Sequence, residues 1–255
     1  MPGILLRIPY IQNKVSEVAT TQLSGHLGVP VKIGNVDIEW FNRLVLEGLY
    51  LEDQDGKVMF EANHVAAGFE IMPLLEGKFV FTTVRLFGFS FNLRKHTPES
   101  PLNLQFVIDA FASKDSIKKE KNIDLRFNSI MIRRGNFSYN VDSEKETPGK
   151  FNAKHIDIKN LSAKISLKAF NKDSVNAHIK KMSFDEASGF SLNKLSLNVV
   201  GNRDSAFVQD FEVRLPQTDL KIGRARIDLS EIDSLPALLN NAPIDLNITP
   251  SQICL

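Results

Sequence analysis

Histidine, cysteine and paired carboxylates are the side chains in this chain with the clearest capacity for chemistry. His26, His64, His96, His155 and His178 are scattered, and no His-Glu-x-x-His run occurs. Cys254 is the only cysteine, so neither a thiol zinc set nor an intramolecular disulfide can form. His155 and His178 fall on the polar phase of their strands, which predicts exposed imidazoles. There is no Gly-x-Ser-x-Gly elbow, and Gly223-Arg-Ala-Arg226 lacks the spacing of a phosphate cradle. Two carboxylate pairs, Glu52–Asp53 and Asp185–Glu186, are of a type suited to general acid–base work. Both stand at expected turns, where acidic side chains are favoured for backbone reasons. With no convergent polar cluster, the sequence points away from an enzyme and implies no catalytic residue, metal or cofactor.

The bulk numbers narrow the remaining classes. At 255 residues the chain can bury a full core as one or two domains, and 43% hydrophobic with 24% charged residues is ordinary globular composition. A net charge of +1 argues against a nucleic-acid binder. The cluster Lys118, Lys119 and Lys121 reads as a solvated loop. Eighteen Phe against 3 Tyr and 1 Trp supply apolar area without polar handles, as suits a dry core or a hydrocarbon-facing surface. No run of about 20 apolar residues is present. Met1–Ile8 lacks the features of a signal peptide, and both ends read as cuts from something longer.

Stepping of three and four at Ile11, Val15, Val18, Ala19, Leu23 and Leu27 predicts an amphipathic helix, with Pro9 in its first turn and Gly28 and Pro30 ending it. Gln12, Asn13, Ser16, Glu17 and Thr20 form its polar face. That face lacks the Lys and Arg of a membrane-lying helix, so covering a sheet end is the expected use. Beyond Pro30 the period becomes two. Leu44–Leu51, the turn Asp53-Gln-Asp-Gly56 and a strand from Lys57 predict a hairpin. Met72–Gly77 reads as a helical corner, Phe79–Arg94 as a long strand, and Ser100-Pro101 as the start of a second helix over 101–112. Residues 113–122 and 142–149 read as loops. The expected organisation is 1–28 as apolar end and helix, 29–122 as a first β segment, and 123–255 as a second, continuous one.

From Ile123 onward apolar and polar residues alternate persistently, which predicts antiparallel strands with one dry and one wet face. A weak repeat joins Leu44-Val-Leu-Glu-Gly-Leu-Tyr-Leu51 to Val84-Arg-Leu-Phe-Gly-Phe-Ser-Phe91, and a third copy spans Ile130–Tyr139 around Gly135. In the first two copies the apolar phase slips by one residue at the glycine, as a β-bulge would make it do.

Val31-Lys-Ile-Gly-Asn-Val-Asp-Ile38 followed by Leu44-Val-Leu-Glu-Gly-Leu-Tyr-Leu-Glu-Asp53 resembles the opening of TamB-like proteins of the AsmA superfamily, over roughly Leu5–Leu93. The resemblance implies a protein anchored in the inner membrane of a Gram-negative envelope and projecting into the periplasm as an elongated β-groove. It implies phospholipid transport between membranes, with acyl chains on the inner face, and a role in outer-membrane protein assembly through an Omp85-type partner. The membrane anchor that the family carries would be absent or reduced to Met1–Ile8, and its partner-binding domain would lie outside this stretch.

The expected fold is therefore mainly β: an elongated antiparallel groove, taco-like or a partly open barrel, capped by the N-terminal helix and carrying a second short one. Ile156, Ile158, Ile165, Leu167, Leu195, Leu197, Phe211 and Val213 are the candidate groove residues. The same positions would equally fill a closed β-sandwich core. The alternative function is a structural or protein-interaction scaffold without lipid, docking through sheet edges. A carbohydrate-binding domain is poorly served by one Trp and three Tyr.

Overall fold

The structure is a computed structural model that describes residues 9–39, 42–72, 79–111, 123–170, 174–202, 204–228, 244–248 and 252–253. Its elements are α1 (Pro9–Leu27), β1 (Val31–Lys32), β2 (Asn35–Glu39), β3 (Arg43–Glu52), β4 (Val58–Phe69), β5 (Phe79–Lys95), α2 (Gln105–Phe111), β6 (Ile123–Val141), β7 (His155–Phe170), β8 (Ser174–Glu186), β9 (Ser191–Asn202), β10 (Ser205–Arg214), β11 (Thr218–Asp228), β12 (Ile244–Ile248) and β13 (Gln252–Ile253). The chain is mainly β, and its strands form one sheet that is not closed into a barrel. Hydrogen-bonded order is β1-β3-β4-β5-β6-β7-β8-β9-β10-β11-β12, with β2 also on β3 and β13 also on β11. Every pairing whose register is described is antiparallel. Two compact units share the sheet: Met1–Phe127 with Ile132–Leu161 and Glu186–Gly189, and Asn128–Met131 with Ser162–Asp185 and Phe190–Leu255.

In the first unit α1 covers the sheet end, as its composition predicts. Leu23 and Leu27 pack on the buried cluster Val31, Ile33 and Val36, together with Leu44, Leu46, Leu49 and Leu51. On the helix face expected to be wet, Glu17 is exposed, but Ser16 and Thr20 depart from the expectation. Ser16 is buried, and the Thr20 and Ser24 hydroxyls accept the backbone N–H groups of Ile33 (3.2 Å) and Val31 (3.0 Å). Edge-strand donors need acceptors, and hydroxyls one helical turn apart supply them at the start of β1 and just past its end. Thr20→Val is accordingly expected to cost about 1 kcal/mol in urea denaturation by orphaning the Ile33 N–H; an unchanged midpoint would show that water replaces the bond.

The second helix is shorter than expected, Gln105–Phe111 instead of 101–112. Ser100 does not cap it but pairs with Thr97, and Asn103 is drawn onto β5 by bonds to Arg94, Asn92 and Asp53. Of the two neighbours that could face inward at its centre, Val107 is half-buried and Ile108 is exposed. The expected corner after Met72 and the loop 113–122 lie outside the described residues.

The phase slips are built into the backbone. Gly48 and Gly88 have φ of 62° and 59°, in the left-handed region where glycine is favoured. Leu44 and Leu46 before Gly48, and Leu49 and Leu51 after it, pack on the same cluster. One left-handed residue thus returns the strand's apolar side to the same face. In the third copy the left-handed residue is Arg134 (φ 52°) and not Gly135. Gly135 serves another purpose, because a Cβ there would run into the Phe89 ring. Gly135→Ala is expected to destabilise the first unit by about 1–3 kcal/mol through overpacking, read as a lowered thermal midpoint.

Candidate functional site

The strand registers of the second unit align apolar residues into rows. Met182, Leu195, Val213 and Leu220 are successive cross-strand partners over β8–β11. Ala177, Val199, Val208 and Ala225 form a second row over the same strands. With strands about 4.8 Å apart, each row is about 14 Å wide. Between the rows, β10 passes through Asp210 (φ 53°), where the register to β9 shifts between Gln209 and Glu212. The apolar phase moves there from Ala206 and Val208 to Phe211 and Val213. In β7, Asn160 (φ 56°) does the same between Ile158 and Leu161. Asn and Asp tolerate this conformation better than other side chains with a Cβ, so these slips occur without glycine.

All eight candidate groove residues are half-buried. Ile156 and Ile158 belong to the first unit; Ile165, Leu167, Leu195, Leu197, Phe211 and Val213 belong to the second. Within the second unit the registers place Leu195 opposite Val213 and Leu197 opposite Ile179. Among its described residues, the side chains buried from water are Ala163, Leu192, Ala206 and Ala225. Three of the four are alanines, and the larger apolar groups in the rows keep part of their surface open.

The first unit is packed differently. Met59 and Val141 are fully buried, and Val45 and its partner Ala66 are buried on the face opposite Leu44 and Leu46. Both sides of β3 and β4 bury apolar groups, unlike the one dry and one wet face expected from Ile123 onward. Farther along, aromatic rings follow one another across the strands. Phe60 lies edge-on to Phe91 at 5.7 Å, and Phe91 to Phe137 at 6.2 Å. Sequence reasoning did not single out this β4–β6 ladder, although the phase slip at Gly88 places Phe89 and Phe91 on the apolar side.

The carboxylates act on the backbone. The Asp53 carboxylate, 2% exposed, accepts the N–H groups of Asp55 and Lys57, the Asn103 amide and the Arg94 guanidinium. Burial pushes its pKa up, and the Asn103 and Lys57 bonds, the Arg94 charge and the Asp55 bond outweigh that, holding it below its ordinary value. Arg94 also reaches Asp55 and Asp142, and His96 lies between those two carboxylates at 3.3 and 3.4 Å. Glu186 closes the β8–β9 turn. The Ser188 hydroxyl is the main influence lowering its pKa; burial opposes this, and backbone N–H groups add to the lowering.

A polar cleft of about 540 Å³ in the first unit is lined by Asn92, Ser138, Asn140, His155 and Glu186, among others. His155 is not the exposed imidazole expected. It is half-buried, with Nδ1 3.1 Å from Asn140 Oδ1 and Nε2 3.0 Å from the Glu144 carbonyl, where it holds the β6–β7 loop. The β6–β7 loop folds back over the polar phase on which His155 lies. His178 is exposed. Among the described residues no group of three His, Cys, Asp or Glu is arranged to hold a metal ion, and no helix is long and apolar enough to cross a membrane. No family model and no curated protein matches the chain.

Proposed function

We propose that this chain binds phospholipid acyl chains on its apolar sheet face, as the N-terminal periplasmic part of a TamB-like protein that carries phospholipid between the membranes of a Gram-negative envelope. The observation that carries the reading is the pair of apolar rows over β8–β11, whose larger members Met182, Leu195, Val199, Val208, Val213 and Leu220 are only half-buried. Each acyl methylene moved from water onto such a surface contributes about 0.8 kcal/mol, and no polar recognition of the chain is needed. The strand motifs of the resemblance fall on β1, β2 and β3, with Asp53 opening the turn. An inner-membrane anchor and an Omp85-type outer-membrane partner belong to this proposal through segments beyond this stretch. No nucleic acid, metal or cofactor enters it.

Native mass spectrometry of the gently purified chain, with organic extraction, tests the reading. Stoichiometric phospholipid is the expected result. A lipid-free chain that also refuses added phospholipid would overturn it in favour of a protein-docking scaffold.

A further inference from the structure

The reverse side of the second unit carries charge of one sign in its middle. In β7, Lys164 and Lys168 alternate with Ala163, Ile165 and Leu167; in β8, His178 and Lys180 alternate with Ala177 and Ile179, and Lys181 follows. All four lysines and His178 are exposed, as are Arg224 and Arg226 on β11. The registers join His178 to Arg224 through neutral partners, His178, Asn198, Gln209 and Arg224 in one row, with Asn176, Val200, Phe207 and Arg226 in the next; Lys180 and Lys181 fall at the register break between Ile179 and Met182. Arg224 and Arg226 lie over the Phe207 ring at 4.4 and 5.9 Å, and Val200 beside it is 39% exposed. Among the described residues no acidic side chain is in salt-bridge contact with these four lysines or two arginines. Glu212 is engaged by Lys194 and Arg214, and Asp219 by Arg214. Asp210 sits at the slip of β10, and Asp245 is the register partner of Arg226.

We infer that this face docks on an anionic phospholipid bilayer surface, with the cations on lipid phosphates and the Val200–Phe207 pair at headgroup level. Charge complementarity selects an anionic partner. The apolar pair at the centre, Val200 exposed and Phe207 half-buried, selects a lipid interface over a purely polar polyanion, because aliphatic and aromatic groups gain from entering the headgroup boundary. The stacked arginines are already held in place, so docking orders little more side chain. This proposal goes beyond acyl-chain binding and uses the opposite side of the strands.

The test is flotation of the purified chain with phosphatidylcholine vesicles containing about one-third phosphatidylglycerol, against pure phosphatidylcholine vesicles. Binding to the anionic vesicles is expected at low salt, with release at about 0.5 M salt. Each cation near such a surface contributes about fivefold. K164Q/K168Q/K180Q/K181Q is therefore expected to weaken association at least about a hundredfold, and R224Q/R226Q at least about tenfold, with circular dichroism unchanged. The second variant decides if the first fails to fold. Equal binding to neutral and anionic vesicles, variants that bind as the parent chain does, or tighter binding to a DNA duplex than to the anionic vesicles would each overturn the inference. Lipid extracted from the same variants reports on the acyl-chain face separately.

Discussion

Aspartates at Leu167 and Leu197 are expected to strip the chain of phospholipid while leaving it folded. Both leucines are half-buried. A carboxylate at either position keeps contact with water, so the cost to folding is the lost apolar contact, about 1–2 kcal/mol at each site. An acyl chain laid over the same positions would have to cover two charges, which is far more costly than the methylene contacts return. Val45→Asp supplies the contrast. Val45 is 3% exposed in the part of the first unit buried on both faces, and an aspartate there is expected to cost more than about 4 kcal/mol and unfold that unit. Extraction of lipid and thermal melts of both variants separate the outcomes. A folded L167D/L197D chain that retains lipid contradicts the assignment of these residues. One that melts like V45D shows that they fill a closed core.

Truncating Asp53 to alanine is expected to be the most destabilising change among the polar groups, at about 3 kcal/mol. The substitution leaves Arg94 with one partner fewer in a setting where its side chain is only 10% exposed, removes one of the two acceptors of the Asn103 amide, and orphans two turn N–H groups. The pH dependence follows from the lowered folded-state pKa. Stability contributed by Asp53 is complete above its ordinary value of 3.8 and is lost as pH falls through the lower folded value. Glu186 acts in the same sense from its ordinary 4.5. Urea midpoints are therefore expected to be flat near neutrality and to drop below about pH 4.5, with a shallower acid drop in D53A. An acid limb unchanged by D53A would mean that the Asp53 contacts do not persist in solution.

How much of this could be read beforehand depends on the range of the interactions involved. Local signals did well. The α1 stepping, the Asp53–Gly56 turn and the two-residue alternation each rest on residues no more than four apart in sequence, and each element forms where expected. The slips at Gly48 and Gly88 were legible because glycine marks left-handed backbone. Those at Arg134, Asn160 and Asp210 lacked that marker, although a break in alternation, Ile158 to Leu161 or Val208 to Phe211, is itself the signal. Contacts joining distant segments left no local trace. Asp53 meets Arg94 and Asn103 from 41 and 50 residues away, and that pull displaced the start of α2. The hydroxyls of α1 looked like a wet face because their partners, the β1 backbone donors, belong to another element. For the candidate site, alternation identified which residues share a face, while the degree of cover depends on what packs above them and is a tertiary property.

Site-specific photo-crosslinking tests acyl-chain binding most directly. A photoreactive phenylalanine analogue is placed at Phe211, on the apolar phase of β10, and separately at Gln209, on its polar phase across the Asp210 slip. The chain is loaded with phospholipid, separated from all vesicles, irradiated and analysed by mass spectrometry. Covalent phospholipid at position 211 and none at 209 is the predicted result. Equal labelling at both positions, or labelling at neither in a folded and loaded chain, would contradict the proposed role of the apolar face.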